Sequence, residues 1–191
     1  MKIFIINGNA TCGKTTFGSF TNEILKKQGI PFSHDSSISP VKQYLKGVGW
    51  ENNKWDGITK DNYWRKTMHE CKCWMIENDK HVFDKYALEK LDENGGVLFY
   101  DIREPENIYQ LVKYCEENRA DVEVKSIFVQ RDVGRQEFDN YADRNQGNYE
   151  YDIYIDNYGD LNDLYKETEN FVMEHILKDW KEEHKAEYNI D

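Results

Sequence analysis

Gly8-Asn9-Ala10-Thr11-Cys12-Gly13-Lys14-Thr15-Thr16 decides the reading of this chain. The stretch follows the apolar run Ile3-Phe4-Ile5-Ile6 and leads into a segment suited to a helix. It fits the pattern G-x-x-x-x-G-K-[ST], and its placement says more than the pattern does. A glycine-rich turn between a buried strand and a helix aims several backbone N–H groups at one point. The helix N-terminus adds partial positive charge there. Lys14 is then placed to reach the β- and γ-phosphates of a nucleoside triphosphate, and the Thr15 hydroxyl to hold Mg²⁺. The alternative is an ordinary glycine turn opening a helix. Strand, loop and helix standing in order favour the phosphate site.

Working outward, 14–27 reads as the first helix, with Phe17, Phe20, Ile24 and Leu25 as its buried stripe. Gly29 and Pro31 stop it. A short mixed strand follows over 32–38. Ser39-Pro40 opens a second helix carrying Val41, Tyr44, Leu45 and Val48, and 50–60 is a polar loop. A long helix is expected over 61–78, with Trp64, Met68, Cys71 and Met75 at helical spacing, and another over 81–91. Gly95-Gly96 breaks the pattern before the buried strand Val97-Leu98-Phe99-Tyr100, which ends at Asp101. Pro105 starts a helix with apolar positions Ile108, Leu111, Val112 and Cys115. Strands are expected over 122–129 and 151–155. From Asp160 a helix places Leu161, Leu164, Thr168, Phe171 and Val172 on one face. Alternating strands and helices predict one α/β domain over 1–191, a three-layer α/β/α sandwich of phosphate-loop type with a mostly parallel sheet. Residues 178–191 form a charged extension. Ligands of such sheets bind beyond the C-terminal strand ends, where Gly8, Asp35, Asp101 and Arg131 fall.

Bulk properties narrow the function. A formal net charge of −11 over 191 residues speaks against a duplex nucleic acid partner, and no block of basic residues offsets it. No apolar stretch approaches the ~20 residues of a membrane span, and no signal peptide is read at Met1-Lys2. Cys12, Cys71, Cys73 and Cys115 lack paired C-x-x-C spacing, which fits free thiols in a reducing cytoplasm. A homodimer is left open.

Several other residues carry chemistry. Asp101 ends an apolar strand, the setting of a magnesium-linked carboxylate, and Arg103 projects from the same strand end. The alternative for both is a polar approach to the next helix. Arg131, Arg135 and Arg144 lie in a polar segment whose arginine donors suit a migrating phosphoryl group, so 131–150 is expected to act as a lid. A solvated loop with internal salt bridges is the alternative. Arg65 and Lys72 stand two turns apart on one helix face, and with Lys42 they are candidates for an acceptor phosphate. Asp35 is the candidate carboxylate at the acceptor: a general base if the acceptor is a hydroxyl, unnecessary as a base if it is already a phosphate. Two patterns are set aside. Asn53-Lys54-Trp55-Asp56 mimics a guanine-reading N-K-x-D without a preceding strand. Cys71-x-Cys73 with His69 points its thiols to different helix faces.

With these residues in hand, the chain resembles the phosphate-loop nucleoside monophosphate kinase superfamily, and within it the deoxynucleoside monophosphate kinases of bacteriophages and related bacterial proteins. The resemblance rests on the phosphate loop and Asp101-Ile102-Arg103-Glu104-Pro105. Ser39-Pro40-Val41-Lys42, the Arg65–Lys72 helix and Tyr151-Asp152-Ile153-Tyr154-Ile155-Asp156-Asn157 add to it. It implies ATP as donor and a (deoxy)nucleoside monophosphate as the small-molecule acceptor. ATP and Mg²⁺ would lie on Gly8, Gly13, Lys14, Thr15 and Thr16 within the 8–16 loop. Asp101 and Arg103 would face acceptor or metal, and Arg131 and Arg135 would belong to the lid. The chain lacks a long zinc-type lid and a D-R-[YSH] motif. Two readings stay open beside this one: a kinase for another small metabolite, and an ATP-binding regulator with negligible turnover.

Overall fold

The computed structural model describes residues 1–47, 62–131 and 148–183, with backbone alone for 62–65 and 181–183. Among these residues five strands form one sheet: β1 (Lys2–Asn7), β2 (Phe32–Ser36), β3 (Val97–Asp101), β4 (Glu123–Gln130) and β5 (Ile153–Asp156). Their order is β2-β3-β1-β4-β5, and every pairing is parallel. The helices are α1 (Lys14–Lys27), α2 (Ser39–Gly47), α3 (Asn62–Asn78), α4 (Val82–Asn94), α5 (Pro105–Asn118), α6 (Leu161–Val172) and α7 (Lys178–Glu183). A π turn over Met173–Leu177 joins the last two.

The side-chain period of two sorts the strands onto two faces. Phe4, Ile6, Val97 and Phe99 pack with Phe17 and Leu25 of α1 and Phe171 and Val172 of α6. Ile3, Ile5, Leu98 and Tyr100 pack with Ala87 and Leu91 of α4 and Ile108, Leu111 and Cys115 of α5. β1 is buried along its whole length, as a central parallel strand with helices on both faces must be. The first face is unusually aromatic: Phe4 and Phe17 meet Phe171 edge-on at 5.1 and 5.2 Å, and Phe32 meets Phe99 at 4.9 Å. A smaller cluster of Val41, Leu45, Met68 and Phe83 ties α2 and α3 to α4.

The expected three-layer α/β/α sandwich is the observed one, and differences fall at element ends. β2 stops at Ser36, so Asp35 lies inside the strand rather than after it. β5 starts at Ile153, because the Asp152 carboxylate accepts from the Ser126 N–H and hydroxyl at 2.7 Å each. α4 runs on to Asn94, where Gly95 takes φ 73° and closes the helix with an N–H bond to Leu91. Leu161 does not join the buried face of α6. It is 66 % exposed in the first turn, where Asp160 caps the amides of Asn162 and Asp163. Tyr44 is likewise exposed, its ring tilted against Trp74 at 5.4 Å. Val48, the 50–60 loop and Asn53-Lys54-Trp55-Asp56 lie outside the described residues, as does the Trp64 side chain.

Candidate active site

The strand order locates the site before any side chain is considered. From β1 the chain passes through α1 to β2, on one side of it; from β3 it passes through α5 to β4, on the other. β1 and β3 are neighbours, so their connections diverge and open a crevice at their C-terminal ends. Ile6 stands opposite Asp101 in the register. Gly8 and Asp101 therefore flank one crevice, although 93 positions separate them in the chain.

The phosphate loop is set by backbone. Gly8 has φ 141° and Gly13 φ 103°, conformations open to glycine and costly to other residues. A Cβ on Gly8 would overlap the Val129 carbonyl oxygen, and one on Gly13 the Asn157 amide. Thr11 holds φ 61°, a strained value for a β-branched residue of the kind that gathers at functional sites. Gly13 caps α1 with no side-chain acceptor, and the first backbone bond of the helix runs from Phe17 N–H to Gly13 C=O at 2.9 Å. The amides of residues 14–16 thus precede the ladder and face the loop as donors. Lys14 folds back over it, its ammonium donating to the carbonyls of Gly8 at 2.6 Å and Asn9 at 2.8 Å. Cys12 is fully buried beneath, its sulfur 3.7 Å from Lys14 Nζ.

Two buried asparagines hold the loop, and the sequence patterns did not single out either for this. Asn7 accepts the Gly8 N–H at 2.8 Å and donates to the Arg103 carbonyl at 3.1 Å and the Tyr151 hydroxyl at 2.7 Å. Asn157, 4 % exposed, donates to the Cys12 carbonyl at 2.7 Å. Asn7 leaves in the sequence only an amide at the end of an apolar run, and Asn157 only its place in the 151–157 segment.

The opposite flank is built from side chains. Asp101 Oδ1 lies 3.2 Å from His34 Nε2, and the His34 ring packs on the bare Cα of Gly18. Asp35 is enclosed by donors: Oδ1 accepts from the Ser36 N–H at 2.7 Å and from the Ser39 hydroxyl, Oδ2 from the Tyr86 hydroxyl at 2.8 Å. Gln43 donates to Tyr86 at 3.1 Å. Burial and then the Asp35 carboxylate push the Tyr86 phenol well above its ordinary value.

The other candidates divide. Lys42 is half-buried on α2, Arg103 half-buried beside the crevice, and Arg131 exposed just past β4. Lys72 is not the substrate-facing cation expected from its helix position. It is 7 % exposed, pairs with Glu104 at 2.9 Å and lies over the Phe83 ring, because α3 packs that face inward. Burial pushes the Glu104 carboxyl up, but Lys72, by charge and hydrogen bond, holds it below the usual range. Arg135, Arg144 and nearly all of the 131–150 lid lie outside the described residues, as does the Arg65 side chain. Cys73 and His69 approach to 3.7 Å, but no cluster of three metal-ligating side chains occurs among the described residues.

A hard cation still fits the crevice. The exposed Thr15 hydroxyl and the second oxygen of Asp101 are oxygen donors of the type Mg²⁺ accepts. Mg²⁺ needs only one or two protein ligands when phosphate oxygens supply others.

The fold and loop together define a phosphate-loop α/β protein. No protein-family model and no curated protein sequence matches the chain. Among solved structures, a cysteine-to-alanine mutant of the Mycobacterium tuberculosis APS kinase is 12 % identical with a TM-score of 0.47, covering 90 % of this chain and 96 % of that one. The same enzyme in complex with AMPPNP and APS is 11 % identical with a TM-score of 0.46, covering 90 % and 97 %. No helix among the described residues is long and apolar enough to cross a membrane.

Proposed function

We propose that this protein is an ATP- and Mg²⁺-dependent kinase that transfers a phosphoryl group to a (deoxy)nucleoside monophosphate, giving the diphosphate. The observation that carries the reading is the convergence on one crevice of two flanks: the amide-lined loop with Lys14, and the Asp101–Arg103 strand end. Phosphoryl transfer asks a protein for positioning and positive charge rather than covalent chemistry. Residues 8–16 would bind the triphosphate, with Lys14 moving from the Gly8 and Asn9 carbonyls to the β- and γ-phosphate oxygens. Thr15 and Asp101 would hold the magnesium, whose charge offsets that of the phosphates. Arg103, Arg131 and Arg135, with Arg144, would neutralise the migrating group, and Lys42 and Arg65 would meet the acceptor phosphate.

The surroundings of Asp35 favour a phosphate acceptor over a hydroxyl. Both its oxygens are engaged by Ser36, Ser39 and Tyr86, so it serves to hold α2 and α4 against β2. An acceptor phosphate brings its own anionic oxygen and needs no base. ADP formation across a panel of ribo- and deoxynucleoside monophosphates, nucleosides and no acceptor tests this. Turnover stimulated by one or a few monophosphates, and surviving in Asp35→Asn, is expected. Turnover with nucleosides that Asp35→Asn removes would make it a hydroxyl kinase. Tight ATP binding with no acceptor-stimulated turnover would leave the regulator.

A further inference from the structure

We propose that Asn157 is a positioning residue for the phosphate loop: its side-chain amide fixes the Cys12–Gly13 peptide so that the Gly13 N–H faces the bound phosphates. The inference rests on the phosphate-site reading above. Asn157 directly follows β5, and its own N–H is tied to the Gln130 carbonyl at 2.9 Å, so its backbone belongs to the sheet and does not move with the loop. Its Nδ2 donates to the Cys12 carbonyl at 2.7 Å and rests against Gly13, where any Cβ would overlap it. The described chain has no cis peptide bond, and in a trans peptide the C=O and the following N–H point in opposite directions. Turning the Cys12 carbonyl outward to β5 therefore turns the Gly13 N–H inward.

Without that bond the peptide is poorly determined. Gly13 has no Cβ to resist rotation, and α1 makes its first backbone bond to the Gly13 carbonyl, leaving the Cys12 carbonyl to Asn157. A flipped peptide would present a carbonyl oxygen to the phosphates in place of a donor. Asn157 thus selects one of two loop states. Through Gln130 it also ties that state to the strand end that carries Arg131.

The test is calorimetric binding of Mg-ATP and of inorganic tripolyphosphate to wild type, Asn157→Leu and Thr168→Val. Thr168→Val serves as control because it removes another buried hydrogen bond, Thr168 to the Leu164 carbonyl at 2.7 Å, without touching the loop. Asn157→Leu should lose about 10- to 100-fold in affinity for both ligands, the scale of one hydrogen bond to a charged group. Thr168→Val should bind as wild type does, even where its thermal midpoint falls equally. In the wild-type protein, the Gly13 amide proton should move downfield when tripolyphosphate binds, a readout independent of how the variant folds. Unchanged affinity in Asn157→Leu, equal losses in both variants, or an unmoved Gly13 amide would overturn the inference. A wild-type protein that binds neither ligand would instead overturn the phosphate-site reading beneath it.

Discussion

The two flanks of the crevice are built on different physics. On the β1 side the shape is made by backbone: positive φ at Gly8, Thr11 and Gly13, first-turn amides that precede the helix ladder, and two asparagines that pin carbonyls and amides in place. On the β2–β3 side it is made by side chains: His34 on Asp101, Tyr86 and Ser39 on Asp35, Lys72 on Glu104. Phosphate is the same in every nucleotide, so backbone donors suffice to hold it. In the proposed kinase an acceptor would have to be told from its relatives, and exchangeable side chains would be the means. The backbone flank has little room for substitution, whereas the side-chain flank can be retuned residue by residue.

This contrast can be broken most sharply at Lys14. Lys14→Ala should reduce phosphoryl transfer by about three orders of magnitude with an unchanged unfolding midpoint, since among the described residues its ammonium meets the Gly8 and Asn9 carbonyls and the Cys12 sulfur, all within its own loop. Steady-state rates beside a thermal melt decide it, and near-normal activity would sink the kinase reading. Next is Gly8→Ala. Overlap with the Val129 carbonyl and an unfavourable φ should cost about 3 kcal/mol or more in chemical denaturation. A neutral result there would mean the loop is not held by backbone fit.

Smaller effects test the side-chain flank. Glu104→Gln leaves Lys72 buried without its counter-charge. Because Glu104 is itself a quarter exposed, the loss should be about 2 kcal/mol, below that of a fully buried pair. The pH dependence has a definite sign. A carboxyl held low in the folded state stabilises fully above its unfolded value, and that stability fades as pH falls through the lower folded value. The gap between wild type and Glu104→Gln should therefore be constant near neutrality and close below about pH 4.5. A gap that persists in acid would assign the role to packing. Smallest is Tyr86→Phe, which deprives Asp35 of one donor and should cost about 1 kcal/mol. Its effect on acceptor KM, set against that on ATP KM, would show which side of the crevice Asp35 serves.

What the sequence determined by itself was the phosphate loop, the helices with strong 3.6-residue stripes, and the alternation that makes a parallel sheet. Each of these has a local signal: G-x-x-x-x-G-K-[ST] places the glycines that permit the turn, and Phe17 with Leu25, or Ile108 with Leu111 and Cys115, declare a buried face within one helix. Tertiary structure alone decided who meets whom. His34 reaches Asp101 and Tyr86 reaches Asp35 only because β2 pairs with β3 and α4 packs beneath them. Lys72, offered by its charge as a phosphate-binding cation, is buried because α3 turns it toward Glu104. Asn7 and Asn157 carry no periodic signal, since a single buried amide at a strand end is set by the partner brought to it from elsewhere in the chain. Local spacing fixes dihedral angles and faces. Contacts between distant residues depend on strand order, which no short stretch contains.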